Sequence, residues 1–191
     1  MTALSDFPVT QKWPATYPER LQLYSLPTPN GVKVSIMLEE IGLPYEAHLV
    51  SFDTQDQMSP EFLSLNPNNK IPAIIDPNGP GGQPLALFES GAILLYLAEK
   101  SGQFIPPDAV GRYELIQWIM FQMGGVGPMF GQLGFFHKFA GREFEDKRPA
   151  RPLCRREQAP AGRAEPAPGD PYLGHGGRLH HRRHGHFPLG A

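Results

Sequence analysis

The chain has 191 residues, is 40% hydrophobic and carries 17 Lys and Arg against 19 Asp and Glu. This length allows one large domain or two small ones, and no apolar run approaches the ~20 residues of a membrane-spanning helix. A single cysteine, Cys154, excludes an internal disulfide and points to a reducing, cytoplasmic setting.

Met1–Arg20 is polar and proline-bearing with no apolar signal core, and reads as an N-terminal arm (1–20). Leu21–Leu26 alternates strand formers and predicts a first strand. Pro27–Gly31 reads as a turn, followed by a helix from about Val32 to Ile41 that Gly42 closes. Tyr45–Phe52 predicts a second strand, and Ser59–Leu63 a short capped helical turn. The polar corner Asn69-Lys70 leads through Ile71-Pro72 into a strand at Ala73–Ile75. Asp76–Gly79 turns the chain into a fourth strand, Leu85–Phe88. Glu89–Lys100 then reads as a helix ending near Gly102. This β-α-β-α-β-β-α order implies an α/β domain with a thioredoxin-like layer structure and a mixed sheet over 21–104. An all-helical region follows (108–148), opened by an amphipathic helix, Gly111–Met123, with Trp118, Ile119 and Phe121 expected to pack inward. Glycines 124, 125, 127, 131 and 134 either interrupt that helix or admit a close neighbour, and read chiefly as packing glycines.

The charge changes sign along the chain. Residues 1–146 hold 8 Lys and Arg against 16 Asp and Glu, whereas residues 147–191 hold 9 against 3. From Lys147 onward there is no Ile, Val, Met or Trp, too little apolar surface to offset chain entropy. Residues 149–191 are therefore expected to be a disordered tail. Five histidines fall within residues 175–186 but in no metal-ligand spacing, so a metal or nucleic-acid arm is the lesser reading. Read one base later, codons for Pro152–Gly177 permit RYVAESKRLLGVLSRRLATLTWVMGA, an amphipathic helix and its turn. Those for Arg178–Ala191 permit DYTIADMATFPWA, a capped helix start. The tail thus reads as a frameshifted version of a helical C-terminal domain, and the chain as a truncated product of reduced or no activity. The coding DNA across this region decides the point.

Two places suit a peptide-like anion. The main chain beside Ile71-Pro72 offers a free edge, or else only a turn that sets chain direction. Glu89-Ser90 sits at a helix N-terminus, where a Ser caps backbone N–H groups and where the same groups suit a carboxylate.

Thr28-Pro29-Asn30-Gly31, Asn68-Asn69-Lys70-Ile71-Pro72-Ala73-Ile74, Phe88-Glu89-Ser90-Gly91 and Gly124-Gly125-Val126-Gly127-Pro128-Met129, in this order, resemble the cytosolic glutathione transferase superfamily. The likeness is greatest to its bacterial nu-class-like, disulfide-reductase branch and covers about Leu21–Arg148. It implies a thioredoxin-like glutathione-binding domain followed by a helical domain, here truncated, and a homodimer in the intact family. It further implies a cis Pro72 that leaves the Ile71 backbone free to pair with a bound tripeptide. Ser90 and the helix start would take the γ-glutamyl carboxylate, and Glu89 its ammonium group. Thr28 and Asn30 would donate to the glutathione sulfur and favour its thiolate, in place of the Tyr24 or Ser25 that other classes would suggest. Gln57 and Lys70 would hold the glycyl end, and Gln132, Phe135 and Phe136 would line the second-substrate pocket.

His48 and His137 read as ordinary residues. With no protein dithiol, redox chemistry falls to glutathione or glutathione disulfide acting on a small electrophile or disulfide; no metal, nucleic acid or membrane is implied. The branch's Arg contact near RYVAESK is missing from this frame, and a shortened helical domain would expose apolar surface around Trp118 and Phe121. A non-catalytic binding or regulatory protein on the same fold is the alternative.

Overall fold

The computed structural model describes residues 3–138 and residue 143. The tail, with Cys154, the histidines from residue 175 onward and the proposed shift of frame, lies outside the described residues. Packing divides the chain into two units, Met1–Met123 and Gly124–Ala191.

In the first unit, β1 (Leu21–Ser25), β2 (Tyr45–Leu49), β3 (Ala73–Asp76) and β4 (Leu85–Phe88) form one sheet in the order β2-β1-β3-β4. β2 runs parallel to β1, while β3 and β4 run antiparallel to their neighbours. A parallel pair needs a crossover, supplied here by α2 (Pro29–Ile41). The antiparallel β3–β4 pair is joined by a short turn in which the Asp76 carboxylate accepts from the Asn78 N–H at 2.8 Å.

Strand alternation sorts the side chains onto two cores. Leu21, Leu23 and Ile74 meet Val34 and Leu38 of α2 and Ile93 and Leu97 of α4 (Ser90–Ser101). On the other face, Tyr24, Ala73 and Ile75 meet Phe62 and Leu65 of α3 (Pro60–Leu65), together with Leu4 and Val9. The N-terminal arm is therefore part of this layer. Its α1 turn (Val9–Lys12) lies against the sheet. The Trp13 indole donates to the Leu49 carbonyl at 3.0 Å, and the Thr16 and Tyr17 N–H groups donate to the Glu46 carboxylate at 2.9 and 2.7 Å.

α2 begins at Pro29 rather than at Val32. Thr28 is the N-cap, its hydroxyl accepting from the Gly31 N–H at 3.3 Å, and Pro29 takes the first helical position, where a missing N–H costs nothing. Gly42 (φ 66°) closes α2 and Gly102 (φ 67°) closes α4, both left-handed. At one end of the sheet the buried Asp76 carboxylate accepts from the Tyr96 hydroxyl at 2.5 Å and pairs with Lys100 at 2.8 Å, fastening β3 to α4.

α5 (Ala109–Phe121) starts from an Asp108 cap and approaches α4 where Gly91 lacks a side chain. A Cβ there would lie 3.2 Å from Ile119 and 2.9 Å from Met123. Ile119 is the residue directed at α4; Trp118 is 50% exposed and Phe121 38%, the two rings crossing edge to face at 5.8 Å. The expectation that all three pack inward fails for a geometric reason: successive helical positions lie ~100° apart, so Trp118 and Phe121 share a stripe that Ile119 does not.

A π-turn, Gln122–Val126, begins in the last two residues of the first unit and leads into α6 (Gly127–Lys138) in the second. Among the described residues, a Cβ on Gly124, Gly125 or Gly131 would meet nothing within 4 Å. These glycines are not close-packing residues; the first two fall in the π-turn, where the regular helix is interrupted.

Candidate functional site

Three segments meet at the end of the sheet opposite the Asp76–Lys100 pair. The register pairs Tyr24 with Ala73 and Ala73 with Phe88, so Ser25, Pro72 and Glu89 emerge side by side. α2 and α4 both start from this rim, with their amino ends towards it.

The Ile71–Pro72 peptide is cis, as anticipated. Both residues are buried. Ile71 lies outside the ladders, which begin at Ala73, and its main-chain groups make no backbone hydrogen bond among the described residues. Asn66, which sequence reasoning missed, shapes the approach. It is 1% exposed, its amide donates to the Lys70 carbonyl at 2.7 Å, and its side-chain oxygen accepts from the Asn68 N–H at 3.0 Å. The Asn-Pro-Asn-Asn run was the available signal, since Asn side chains close such turns on their own backbone. Lys70 itself is exposed.

Ser90 is the first residue of α4 rather than its cap, which corrects the capping expectation. Glu89 holds the cap position with φ 72° and ψ 112°, and no side chain caps the helix. A non-glycine residue held there costs about 1–3 kcal/mol, a strain found chiefly at functional sites. The first N–H groups of α4 have no intrahelical acceptor. The Ser90 hydroxyl, 3% exposed, donates instead to the Met123 sulfur at 3.6 Å.

Thr28 is half-buried and Asn30 exposed, the latter at the second position of α2. Gly31 lets the chain at Ser25-Leu26 come close: a Cβ there would lie 2.2 Å from the Leu26 carbonyl oxygen and 2.4 Å from the Ser25 hydroxyl. Tyr24 is fully buried in the core beyond the sheet. Burial, reinforced by Glu46, drives its phenol well above the ordinary tyrosine range; its place in the core, and not its protonation, keeps it from serving as a donor at the rim. His48 is also buried. Its ring stacks on Tyr24 at 4.8 Å and bonds to Gln22 at 2.7 Å, and burial holds its pKa below the usual value against the pull of Glu46. Gln57 is half-buried in a turn at Asp56–Met58, with its side-chain oxygen buried and unpartnered among the described residues.

A second residue that sequence reasoning passed over is Lys33, in the second turn of α2. Its ammonium donates to the Gln122 side-chain oxygen at 3.0 Å and approaches the Met123 sulfur at 3.7 Å. Burial lowers its pKa, with Glu89 acting the other way. Gln132, Phe135 and Phe136 lie on α6, in the second unit. Gln132 is exposed, and the two phenylalanine rings cross edge to face at 5.3 Å. Among the described residues no group of three His, Cys, Asp or Glu is arranged to hold a metal ion, and no helix is long and apolar enough to cross a membrane.

A sheet of this order, with a cis-proline and helix amino ends at one rim, defines a thioredoxin-like domain. Residues 19–99 match the model of the glutathione S-transferase N-terminal domain. Disulfide-bond oxidoreductase YfcG of Escherichia coli is 50% identical over 121 residues, 63% of this chain and 56% of that protein. Disulfide-bond oxidoreductase YghU of the same organism is 45% identical over 131 residues, 65% of this chain and 45% of that protein. Among solved structures, a glutathione transferase from Pseudomonas putida, with one glutathione disulfide bound per subunit, superimposes with a TM-score of 0.83. It is 71% identical, covering 85% of this chain and 71% of that one. A glutathione transferase from Burkholderia graminis, with two glutathione molecules bound per subunit, gives a TM-score of 0.83 at 75% identity, covering 86% and 68%. The chain belongs to the glutathione transferase family. It spans about half the length of the curated relatives it matches.

Proposed function

We propose that this chain binds glutathione or glutathione disulfide at the sheet rim and serves a glutathione-dependent disulfide oxidoreductase or transferase. The observation that carries the reading is the unpaired Ile71 main chain beside the cis Pro72, level across β3 and β4 with the uncapped amino end of α4. A tripeptide lying along Ile71 adds strand-like hydrogen bonds. Its γ-glutamyl carboxylate then takes the first N–H groups of α4 and the Ser90 hydroxyl, and Glu89 takes the adjoining ammonium group. Gln57 and Lys70 hold the glycyl end.

The Thr28 hydroxyl accepts from Gly31 and keeps its proton to donate. With the exposed Asn30 amide it sits at the positive end of α2, where a glutathione sulfur is favoured as thiolate. That thiolate attacks one sulfur of a disulfide and expels the other as a thiol. A second glutathione then attacks the mixed disulfide, so two glutathiones are oxidised to glutathione disulfide as the substrate is reduced to two thiols. With an electrophile that carries a leaving group in place of the disulfide, the same thiolate forms a carbon–sulfur bond and expels that group, as chloride in the case of 1-chloro-2,4-dinitrobenzene, giving a thioether. No protein cysteine takes part. Gln132, Phe135 and Phe136 are the proposed lining for the second substrate, a second copy of the chain the proposed partner in the intact family, and the cytoplasm the proposed location.

The test is calorimetric titration of the purified chain with glutathione and with its disulfide, beside two turnover assays: reduction of hydroxyethyl disulfide and conjugation of 1-chloro-2,4-dinitrobenzene. Binding of either form with turnover in the disulfide assay is expected. A folded chain that binds neither refutes the reading, and binding without turnover in both assays assigns the chain to a non-catalytic role.

A further inference from the structure

Four of the Lys and Arg side chains among the described residues pair with carboxylates: Lys12, Arg20, Lys100 and Arg112. Lys33 and Lys70 have no ion pair among the described residues. For Lys70 this needs no explanation, because it is exposed to water. Lys33 is half-buried, and the groups that hold it are an amide oxygen and a thioether, both neutral. A cation withdrawn from water without a counter-charge is a net cost, and neutral acceptors leave its charge available.

Its position says what the charge meets. The Met123 sulfur that contacts the Lys33 ammonium also accepts from the Ser90 hydroxyl at 3.6 Å. The ammonium therefore lies two short contacts from the first residue of α4, and the missing side chain of Gly91 lets Met123 in that close. Glu89 stands at the same helix start and makes no ion pair with Lys33 among the described residues.

We infer that Lys33, held in place by Gln122, is a further ligand-binding residue that pairs with the γ-glutamyl carboxylate of glutathione at the amino end of α4. The inference rests on the glutathione reading given above and adds a cation to a carboxylate site otherwise made of N–H groups and one hydroxyl. It also gives the π-turn a task, since Gln122 is the residue at which α5 leaves its regular path.

Calorimetry on the full chain with glutathione, γ-glutamylcysteine and cysteinylglycine tests this, since only the first two carry the γ-glutamyl carboxylate. Replacement Lys33→Gln is expected to weaken glutathione and γ-glutamylcysteine alike, by about tenfold, the usual scale for a charge-assisted contact, and to leave cysteinylglycine unchanged. Replacement Lys33→Arg keeps the charge and is expected to retain most of the binding. Replacement Gln122→Glu hands the ammonium a carboxylate of the protein's own and is expected to weaken the same two ligands with Lys33 untouched. Thermal melting confirms that each variant is folded. Wild-type affinity for glutathione in Lys33→Gln, or an equal loss for cysteinylglycine, overturns the assignment. A wild-type chain that binds none of the three overturns the glutathione reading and this assignment with it, a result distinct from binding that Lys33→Gln leaves intact.

Discussion

Replacement Gly31→Ala sets two effects of known size against each other. Alanine in a helix is favoured over glycine by about 0.8–1.0 kcal/mol, so an open site would gain stability. At Gly31 the new Cβ would sit 2.2 Å from the Leu26 carbonyl oxygen and 2.4 Å from the Ser25 hydroxyl. The hydroxyl can rotate away; the carbonyl is backbone and moves only if the β1–α2 connection moves. Overpacking of this kind costs about 1–3 kcal/mol, and a backbone obstacle puts Gly31 at the upper end, leaving a net loss of about 1–2 kcal/mol. For a domain of roughly 60–100 residues that lowers the melting temperature by roughly 4–16 °C. The displaced connection carries Thr28 and Asn30, so glutathione affinity is expected to fall with stability. Gly124, where a Cβ meets nothing within 4 Å, is the control: Gly124→Ala is expected to melt at or slightly above the wild type. Thermal unfolding followed by circular dichroism reads both. If Gly31→Ala melts no lower than the wild type, the steric argument is wrong.

Replacement Asp76→Ala strands the Tyr96 hydroxyl, leaves the Lys100 ammonium with the Asn78 carbonyl but no carboxylate, and is expected to cost about 2–4 kcal/mol, read as a lower urea midpoint; a loss under 1 kcal/mol would show the cluster to be dispensable. Replacement Asn66→Ala removes both bonds that shape the Lys70–Ile71 approach and is expected to weaken glutathione binding more than it lowers stability. Equal affinity in the variant would show that the loop holds its shape without them. Burial lowers the His48 pKa in the fold, so the unfolded chain binds the proton first. The His48 contribution is therefore complete above ~6.5, the ordinary value, and is lost as pH falls from there through the lower folded pKa. The depressed carboxylates Glu46 and Asp56 act in the same direction in a lower window, beginning below their ordinary pKa. Urea midpoints are thus expected to drop between neutral and mildly acid pH in the wild type, and the His48→Gln variant is expected to lose that upper step while keeping the acid one. A variant with an unchanged upper step would assign it to another group.

Local patterns made much of this fold legible. The alternation in Leu21–Ser25 and the cap-and-glycine punctuation around Ser59, Gly42 and Gly102 placed strands and helices nearly where they stand, because those signals act within a few residues. The start of α2 was missed by three residues because Pro27-Thr28-Pro29 satisfies a turn and a capped helix equally well; only the Thr28–Gly31 bond decides between them. The rim around Pro72 and Ser90 was legible through its motifs. Lys33 was not, since its significance depends on Gln122 and Met123, some ninety residues away. Asn66 stayed hidden for a nearer reason: a buried turn-former and a surface loop residue look alike until the burial is known. Apolarity alone predicts Trp118 and Phe121 to face inward, but it says nothing about which stripe of a helix meets its neighbour.

The first twenty residues have a further bearing on how the molecule survives in a crowded solution. β2 is an outermost strand, and Trp13, Thr16 and Tyr17 lie along it, with the indole occupying the Leu49 carbonyl. Lateral strands with vacant main-chain groups invite pairing with foreign chains. The segment Trp13–Tyr17 thus covers part of that flank, and a minimal domain that begins at Leu21 would leave the Leu49 carbonyl open to such pairing.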